Sequence, residues 1–248
     1  MIHVALSVAF WSFFALSCVV LFCVALLLFL VTWPFDRNGR VLHLFSCFWA
    51  QLYIYVNPRW SLRVEGREHL PWKGAAVLVS NHESLGDILS LFGLYRPFKW
   101  VSKASVFKVP FLGWNMTLNG YVPLVRGDAA SIAHMMALCR RWLTRGVPVL
   151  MFPEGTRSLD GEVKAFKDGA FRLAVEQRCP VIPIAISGMR AALPKNGFVI
   201  RETLRCVVRV LEPVHPDAFG GDLPALREAV RERIIRAKRE IDAAAKAG

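Results

Sequence analysis

Residues 75–87 have the sequence AAVLVSNHESLGD, an apolar run that passes into a polar turn holding His82 and Asp87. The apolar run predicts a short buried strand, and the apolar residues 88–92 that follow the turn predict a buried helix. A strand that ends in a turn and feeds a helix is a usual place for a catalytic group in an α/β protein. The stretch therefore indicates both a fold class and a first candidate site.

His82 and Asp87 lie five positions apart. On a regular helix their side chains would point roughly 140° apart, so they can meet only if His82 lies in the turn and Asp87 in the first helical turn. A carboxylate on one imidazole nitrogen fixes the tautomer and leaves the other nitrogen free to accept a proton. The pair predicts a general-base dyad that activates a hydroxyl of another molecule. A chance pair at this spacing is the alternative.

Composition and charge narrow the possible partners. The chain has 248 residues, 54% of them hydrophobic, and a formal net charge of +12. Removing residues 1–56 leaves a net charge of +11. A basic domain beside an apolar segment indicates an anionic membrane surface or a phosphate-bearing substrate. Nucleic acid is the alternative, but no nucleic-acid-binding motif is present in the sequence. The six cysteines form no Cys-x-x-Cys pair, so neither a zinc site nor a disulfide framework is expected.

The amino-terminal part predicts a membrane segment. Val4–Trp33 carries no charge and would reach about 45 Å as a helix, enough to cross a hydrocarbon core of about 30 Å. A second apolar stretch, Val41–Val56, is marginal in length and rich in Trp and Tyr, which favour the headgroup level. We therefore predict a membrane helical hairpin at residues 1–56 and an α/β domain at residues 57–248. A full span with an interfacial helix and a shallow hairpin in one leaflet both remain open.

From residue 57 onward, short apolar runs alternate with helical patterns, which is typical of a mixed, largely parallel sheet flanked by helices. The predicted strands are 60–66, 75–80, 98–101, 120–125, 147–152, 181–187 and 205–211, and Pro123 favours an edge position for the fourth. The predicted helices are 87–94, 128–145, 168–177 and 223–245. Asp128 is the expected N-cap of the second helix. Its predicted buried face holds Ile132, Met135, Leu138 and Trp142.

A second candidate site lies at residues 152–158, which have the sequence FPEGTRS. Gly155 permits a tight turn, Thr156 offers a hydroxyl, and Arg157 offers a planar fork for phosphate oxygens. Glu154 can hold that arginine or a substrate hydroxyl. The alternative is an ordinary turn at a strand end with a surface salt bridge.

Four blocks of the chain resemble, in order and spacing, those of the glycerolipid acyltransferases, above all the bacterial 1-acyl-glycerol-3-phosphate acyltransferases. The blocks are Asn81-His82 with Asp87, residues 122–126, residues 152–157 and residues 181–188. The resemblance runs from about Leu62 to Gly188. The chain has Leu124-Val125-Arg126 where many relatives carry an aspartate before the arginine.

The resemblance implies transfer of a fatty acyl group from acyl-CoA or acyl carrier protein to the sn-2 hydroxyl of lysophosphatidic acid, which yields phosphatidic acid. It implies that His82 is the base and that Asp87 orients it. The substrate-binding residues that we expect are Lys103, Arg126, Glu154, Gly155, Thr156 and Arg157. It implies neither a metal nor another cofactor. The expected location is the bacterial inner membrane, with the catalytic domain on the cytoplasmic side.

Three other functions compete with this prediction. One is an acyltransferase of the same family that acts on another lysolipid. A lipid hydrolase with a serine nucleophile is the second, although the Gly-x-Ser-x-Gly motif is missing from the sequence. The third is a membrane-bound, lipid-binding scaffold without activity. Release of free thiol from acyl-CoA in the presence of lysophosphatidic acid separates these classes.

Overall fold

The computed structural model describes residues 2–158, 160–190 and 203–247. Within them a seven-stranded sheet forms the centre of the protein, with the strand order β1-β7-β6-β2-β5-β3-β4. The strands are β1 (Trp60–Glu65), β2 (Val77–Ser80), β3 (Lys99–Lys103), β4 (Val122–Leu124), β5 (Val149–Met151), β6 (Val181–Ser187) and β7 (Leu204–Val210). The mixed, largely parallel sheet predicted from the sequence is confirmed.

Five adjacent strands share one direction. β6, β2, β5, β3 and β4 pair in parallel, whereas β7 runs antiparallel to β6 and carries β1 in parallel beside it. The carboxyl ends of these five strands therefore meet at the same edge of the sheet. The fourth strand lies at the sheet margin, as Pro123 predicted, because proline cannot donate a ladder hydrogen bond.

Helices cover both faces of the sheet. They are α1 (Ile2–Thr32), α2 (Arg40–Tyr55), α3 (Gly86–Phe92), α4 (Leu112–Leu118), α5 (Ala129–Thr144), α6 (Gly169–Glu176) and α7 (Leu223–Ala247). Single turns of 3₁₀ helix occupy Arg67–His69, Ala104–Lys108 and Pro216–Phe219. Successive strand residues point to opposite faces, so Leu78 packs with α2, α3 and α4, while Val77 and Val79 pack with α5, α6 and α7. The sequence pattern did not predict α4, a short helix that begins after Phe111.

The helix α5 corrects one prediction. Asp128 caps it as expected, because its carboxylate accepts the Ser131 N–H at 2.5 Å. The buried stripe differs from the predicted one and holds Met135, Met136, Cys139 and Leu143. Ile132 is 42% exposed. The predicted stripe was displaced by about one position around the helix, because the tertiary contacts of α5 select which neighbouring apolar residues face the sheet.

The helix α1 presents an apolar surface. Among the described residues, Leu6–Thr32 is the one segment long and apolar enough to cross a membrane. Only 17% of the most apolar 18-residue stretch of this helix is buried, whereas the core helix of a soluble protein is mostly buried. Its inner side packs along α2, where Ser17 Oγ lies 3.0 Å from the Tyr53 hydroxyl. The second helix is buried on both sides, because it also packs against α3 and the sheet.

Candidate active site

The His82 and Asp87 side chains meet in the turn between β2 and α3. The His82 Nδ1–H donates to Asp87 Oδ2 at 2.9 Å, and the same oxygen accepts the backbone N–H groups of Glu83 and Ser84 at 2.7 and 2.8 Å. Asp87 is 1% exposed and His82 6% exposed. Three donors on one carboxylate oxygen fix both the turn and the ring, and they leave His82 Nε2 as the free proton acceptor.

Two residues of the sequence motifs to which the sequence analysis gave no role, Asn81 and Phe152, hold this turn in place. The Phe152 ring stacks on the His82 imidazole, with centroids 4.1 Å apart and planes at 19°. The Asn81 side-chain amide donates to the Ile186 carbonyl at 2.9 Å and accepts the Ile186 N–H at 2.8 Å, so it continues the pairing of β2 with β6. The sequence shows an aromatic residue after β5 and an Asn after β2, but it does not show what these two residues contact. Their partners, His82 and Ile186, lie far away in the chain.

Glu154 joins the two candidate motifs. Its Oε1 accepts the His82 N–H at 2.8 Å and its Oε2 accepts the Lys164 N–H at 3.1 Å. The carboxylate is buried, and burial raises its pKa while these two hydrogen bonds act to lower it. The sequence predicted that Glu154 holds Arg157 or a substrate hydroxyl. In the structure each of the two oxygens accepts one backbone N–H, and among the described residues Glu154 makes no ion pair with Arg157, so the predicted hold on Arg157 is wrong. Its contact with a substrate hydroxyl stays a prediction.

The other residues of the second motif form a tight turn beside the dyad. Gly155 has a φ of +72°, and a Cβ there would lie 2.9 Å from the Lys167 ammonium. The Ser158 N–H donates to the His82 carbonyl at 2.8 Å, which places the neighbouring Arg157 next to the His82 turn. Within the described part of the chain, Arg157 and Thr156 make no hydrogen bond or ion pair, so their side chains are available to a ligand. The sequence pattern missed Lys167.

Lys103 and Arg126 lie at the same edge of the sheet as the dyad. Lys103 is the last residue of β3 and pairs in register with Leu124 of β4, two positions before Arg126. Both cations are exposed. The parallel arrangement of β2, β5, β3 and β4 thus brings the six predicted substrate-binding residues to one edge, although Glu154 serves there as a link between loops.

The chain matches proteins of known family. The family model described as acyltransferase matches residues 61–187, just over half of the chain. An alpha form of 1-acyl-sn-glycerol-3-phosphate acyltransferase from Mus musculus is 35% identical over 77% of this chain and 68% of its own length. The chain belongs to the glycerolipid acyltransferase family. This confirms the resemblance drawn from the four sequence blocks.

This chain is similar to other members of the family over a smaller share of their length. Two proteins named 1-acyl-sn-glycerol-3-phosphate acyltransferase, a chloroplastic one from Arabidopsis thaliana and one from Chlamydomonas reinhardtii, are 36% and 40% identical over 81% and 75% of this chain. The chain spans about half of their length, 55% in each case. The crystal structure of an acyltransferase from Thermotoga maritima covers 97% of this chain and 96% of its own with a TM-score of 0.77. At 24% identity it shows a shared fold.

The chain also carries a half-buried ion cluster behind the His82 turn. The Lys238 ammonium, on α7, lies 3.1 Å from Glu83 Oε1 and 2.8 Å from Asp242 Oδ2. Ser187, at the end of β6, donates to the other Asp242 oxygen. Burial raises the pKa of Glu83 to about 7, against the opposing effect of Lys238. Burial acts to lower the pKa of Lys238, but the hydrogen bond and charge of Asp242, with those of Glu83, outweigh it and raise that pKa.

Proposed function

We propose that the protein transfers a fatty acyl group from acyl-CoA or acyl carrier protein to the sn-2 hydroxyl of 1-acyl-glycerol-3-phosphate. The observation that carries the proposal is the buried His82–Asp87 pair, with Nε2 left free, in a chain whose relatives are named 1-acyl-sn-glycerol-3-phosphate acyltransferases. The product is phosphatidic acid.

The dyad performs the proton transfers in this proposal. The oxygen of the acceptor hydroxyl attacks the thioester carbonyl carbon, and His82 Nε2 accepts the proton of that hydroxyl. Asp87 stabilises the resulting imidazolium through Nδ1. When the tetrahedral intermediate collapses, the carbon–sulfur bond breaks and His82 returns the proton to the leaving thiolate. The carbonyl oxygen that becomes negative needs hydrogen-bond donors, and acid–base chemistry of this kind requires no metal.

The cations at the same edge suit the acceptor's phosphate. Arg157 and Thr156 have free donors beside the dyad, and Lys103 and Arg126 end the neighbouring strands. An arginine fork recognises phosphate oxygens through two parallel hydrogen bonds. Gly155 keeps the turn open for a close approach of the substrate. We propose that these residues hold the glycerol phosphate while its hydroxyl faces His82.

The membrane supplies the acceptor in this proposal. The exposed apolar surface of α1 and the basic remainder of the chain suit an anionic lipid bilayer. We propose that the enzyme works on the cytoplasmic side of a bacterial inner membrane, where acyl donors are made.

One assay tests the function. Purified full-length protein in detergent micelles receives lysophosphatidic acid with either acyl-CoA or acyl carrier protein loaded with a fatty acid, and free thiol and phosphatidic acid are both measured. We expect equal amounts of the two products, and His82→Ala should reduce both. His134→Ala is the matched control, because His134 is an exposed histidine on α5. Free fatty acid in place of phosphatidic acid would identify a hydrolase, and no turnover with either donor would favour a lipid-binding scaffold.

A further inference from the structure

A cavity of about 500 Å³ opens at the amino ends of the parallel strands. The His82–Asp87 pair lies at their carboxyl ends, on the opposite side of the sheet. The carboxyl end of α1, the first residue of β3 and the end of α5 line the cavity. Four cations face it, namely Arg37, Lys99, Arg141 and Arg145, and one carboxylate, Asp36. None of these residues belongs to the candidate active site.

Lys99 is the unusual member of this group. It is 2% exposed, and its ammonium donates to the Asn119 carbonyl at 2.6 Å and lies 4.7 Å from the Trp142 ring centroid. An ammonium has three donors, so within the described structure two remain for a ligand in the cavity. Burial lowers the pKa of Lys99 to about 7, against the opposing charge of Asp36. A bound anion would keep this lysine protonated.

The arginines at the cavity are aligned by aromatic rings. The Arg145 guanidinium lies 5.4 Å from the Trp142 ring centroid, and the Arg37 guanidinium 5.5 Å from that of Trp33. Arg141 and Arg145 are exposed and end α5, where the helix dipole is negative. The single carboxylate, Asp36, already accepts the Val41 N–H at 2.7 Å. The cavity thus combines free cationic donors with an acid that is engaged elsewhere.

The surface beside the cavity is apolar. Leu30, Val31, Trp33 and Phe35 at the end of α1 are 62%, 58%, 50% and 73% exposed. Acyl chains can lie along this surface while a headgroup enters the cavity. We propose that the cavity binds a phosphate group, carried by an anionic lipid, at a site separate from catalysis.

Local fluorine signals test the proposal. Full-length protein in neutral detergent micelles is labelled with 5-fluorotryptophan, and the ¹⁹F resonances of Trp142 and Trp100 are identified from Trp142→Phe and Trp100→Phe. The probes are dihexanoyl phosphatidylglycerol, sodium phosphate and dihexanoyl phosphatidylcholine. We expect the anionic lipid to shift the Trp142 signal saturably and to leave that of Trp100, a core residue, in place. The zwitterionic lipid should shift neither.

Matched variants locate the binding. Arg141→Gln/Arg145→Gln removes two charges at the cavity and should weaken the lipid affinity at least tenfold. Arg236→Gln/Arg239→Gln removes two exposed charges from α7, far from the cavity in the fold, and should change the affinity less than twofold. Lys99→Met removes the buried ammonium and should also weaken binding at least tenfold. A cooperative thermal transition in the same detergent verifies that each variant is folded.

The two phosphate sources give different curves. If the Trp142 signal saturates at a tenfold lower concentration of anionic lipid than of sodium phosphate, the ligand is a membrane lipid. If both probes saturate the signal at the same concentration, the site is filled by phosphate from solution. A Trp142 signal that does not saturate with either anion would overturn the proposal. So would an equal response to the zwitterionic lipid, or full affinity in the Arg141→Gln/Arg145→Gln and Lys99→Met variants.

Discussion

At the scale of the residue, one oxygen organises the candidate active site. Asp87 Oδ2 accepts three N–H groups, from the His82 ring and from the backbone of Glu83 and Ser84. The backbone bonds close the turn, and the ring bond selects the tautomer with a proton on Nδ1. The imidazole cannot swing away, because Phe152 stacks on its face. The geometry of the candidate active site therefore depends on a few short contacts around the Asp87 side chain.

The dyad can be tested by two substitutions. His82→Ala should lower kcat by about 10²- to 10⁴-fold, because the general base is lost. Asp87→Asn should retain the fold and lose much of the rate, because an amide stabilises the wrong tautomer. Thiol release at saturating substrate gives kcat, and thermal melting verifies folding. Near-normal kcat in His82→Ala would contradict the assignment of the base.

Arg157 should act on the acceptor. A charge-assisted hydrogen bond contributes about 1.5–3 kcal/mol, so Arg157→Ala should raise the acceptor KM roughly 10- to 100-fold and leave the donor KM almost unchanged. Arg157→Lys should not restore it, because the planar fork is lost. Arg172→Ala, an exposed arginine on α6, is the control. A large fall in melting temperature with an unchanged acceptor KM would indicate a structural arginine instead.

At the scale of the element, the site is built from loops that separate parts of the chain bring together. Glu154 ties the loop after β5 to the loop after β2, and Asn81 ties the latter to β6. From behind, α7 reaches the same turn through the Lys238–Glu83 pair. The carboxylate of Glu83 thus links the carboxyl-terminal helix to the candidate catalytic turn.

That link predicts a pH dependence of stability. Burial raises the pKa of Glu83 from 4.5 to about 7, so the folded protein binds the proton more tightly than the unfolded chain. Proton binding at Glu83 therefore stabilises the folded state fully below pH 4.5, and this contribution is lost as the pH rises to about 7. The melting temperature of Glu83→Gln should therefore rise relative to that of the wild type as the pH increases from 4.5 to 7. Lys238 keeps Asp242 as a partner in the variant.

Melting curves of the full-length protein in detergent at closely spaced pH values measure this difference. Glu212→Gln is the control, since it removes the same charge from an exposed position. A difference for Glu83→Gln that stays constant over this pH window would argue against the buried acid.

At the scale of the whole molecule, α2 connects the apolar helix α1 with the α/β domain. Cys47, Ala50 and Ile54 are buried in the same core as Leu78 of the sheet. Gln51 Nε2 donates to the Leu89 carbonyl at 2.6 Å. The opposite side of α2 packs on α1. The boundary predicted at residue 57 therefore passes between a helix and the core that it covers.

Truncation tests where the folding unit begins. Residues 36–248 should fold, bind vesicles more weakly than the full chain and act poorly on membrane-embedded acceptor, because α1 is gone. Residues 57–248 should fail to fold, because each buried side chain lost with α2 contributes about 1.5–3 kcal/mol and total stabilities are about 5–15 kcal/mol. Melting and vesicle flotation of both fragments provide the measurement. A cooperative transition in residues 57–248 would show instead that the folding unit begins at residue 57.

The amino-acid sequence by itself determined the fold class, all seven strands to within two residues at either end, and the two motifs, His82 with Asp87 and residues 154–157. These features rest on short-range periodicity and on contacts within a few positions, which local sequence encodes. The end of β3 lies two residues beyond its predicted end, because its last residues pair with β4.

Only the tertiary structure decided how these parts meet. Glu154 lies 72 positions from His82 in the chain, and its function as a link between loops depends on β2 and β5 being neighbours in the sheet. The stacking of Phe152 and the reach of Lys238 to Glu83 have the same origin. The buried stripe of α5 and the core position of α2 were likewise selected by packing. Contacts between distant residues depend on strand order, and strand order follows from the packing of the whole chain rather than from any local pattern.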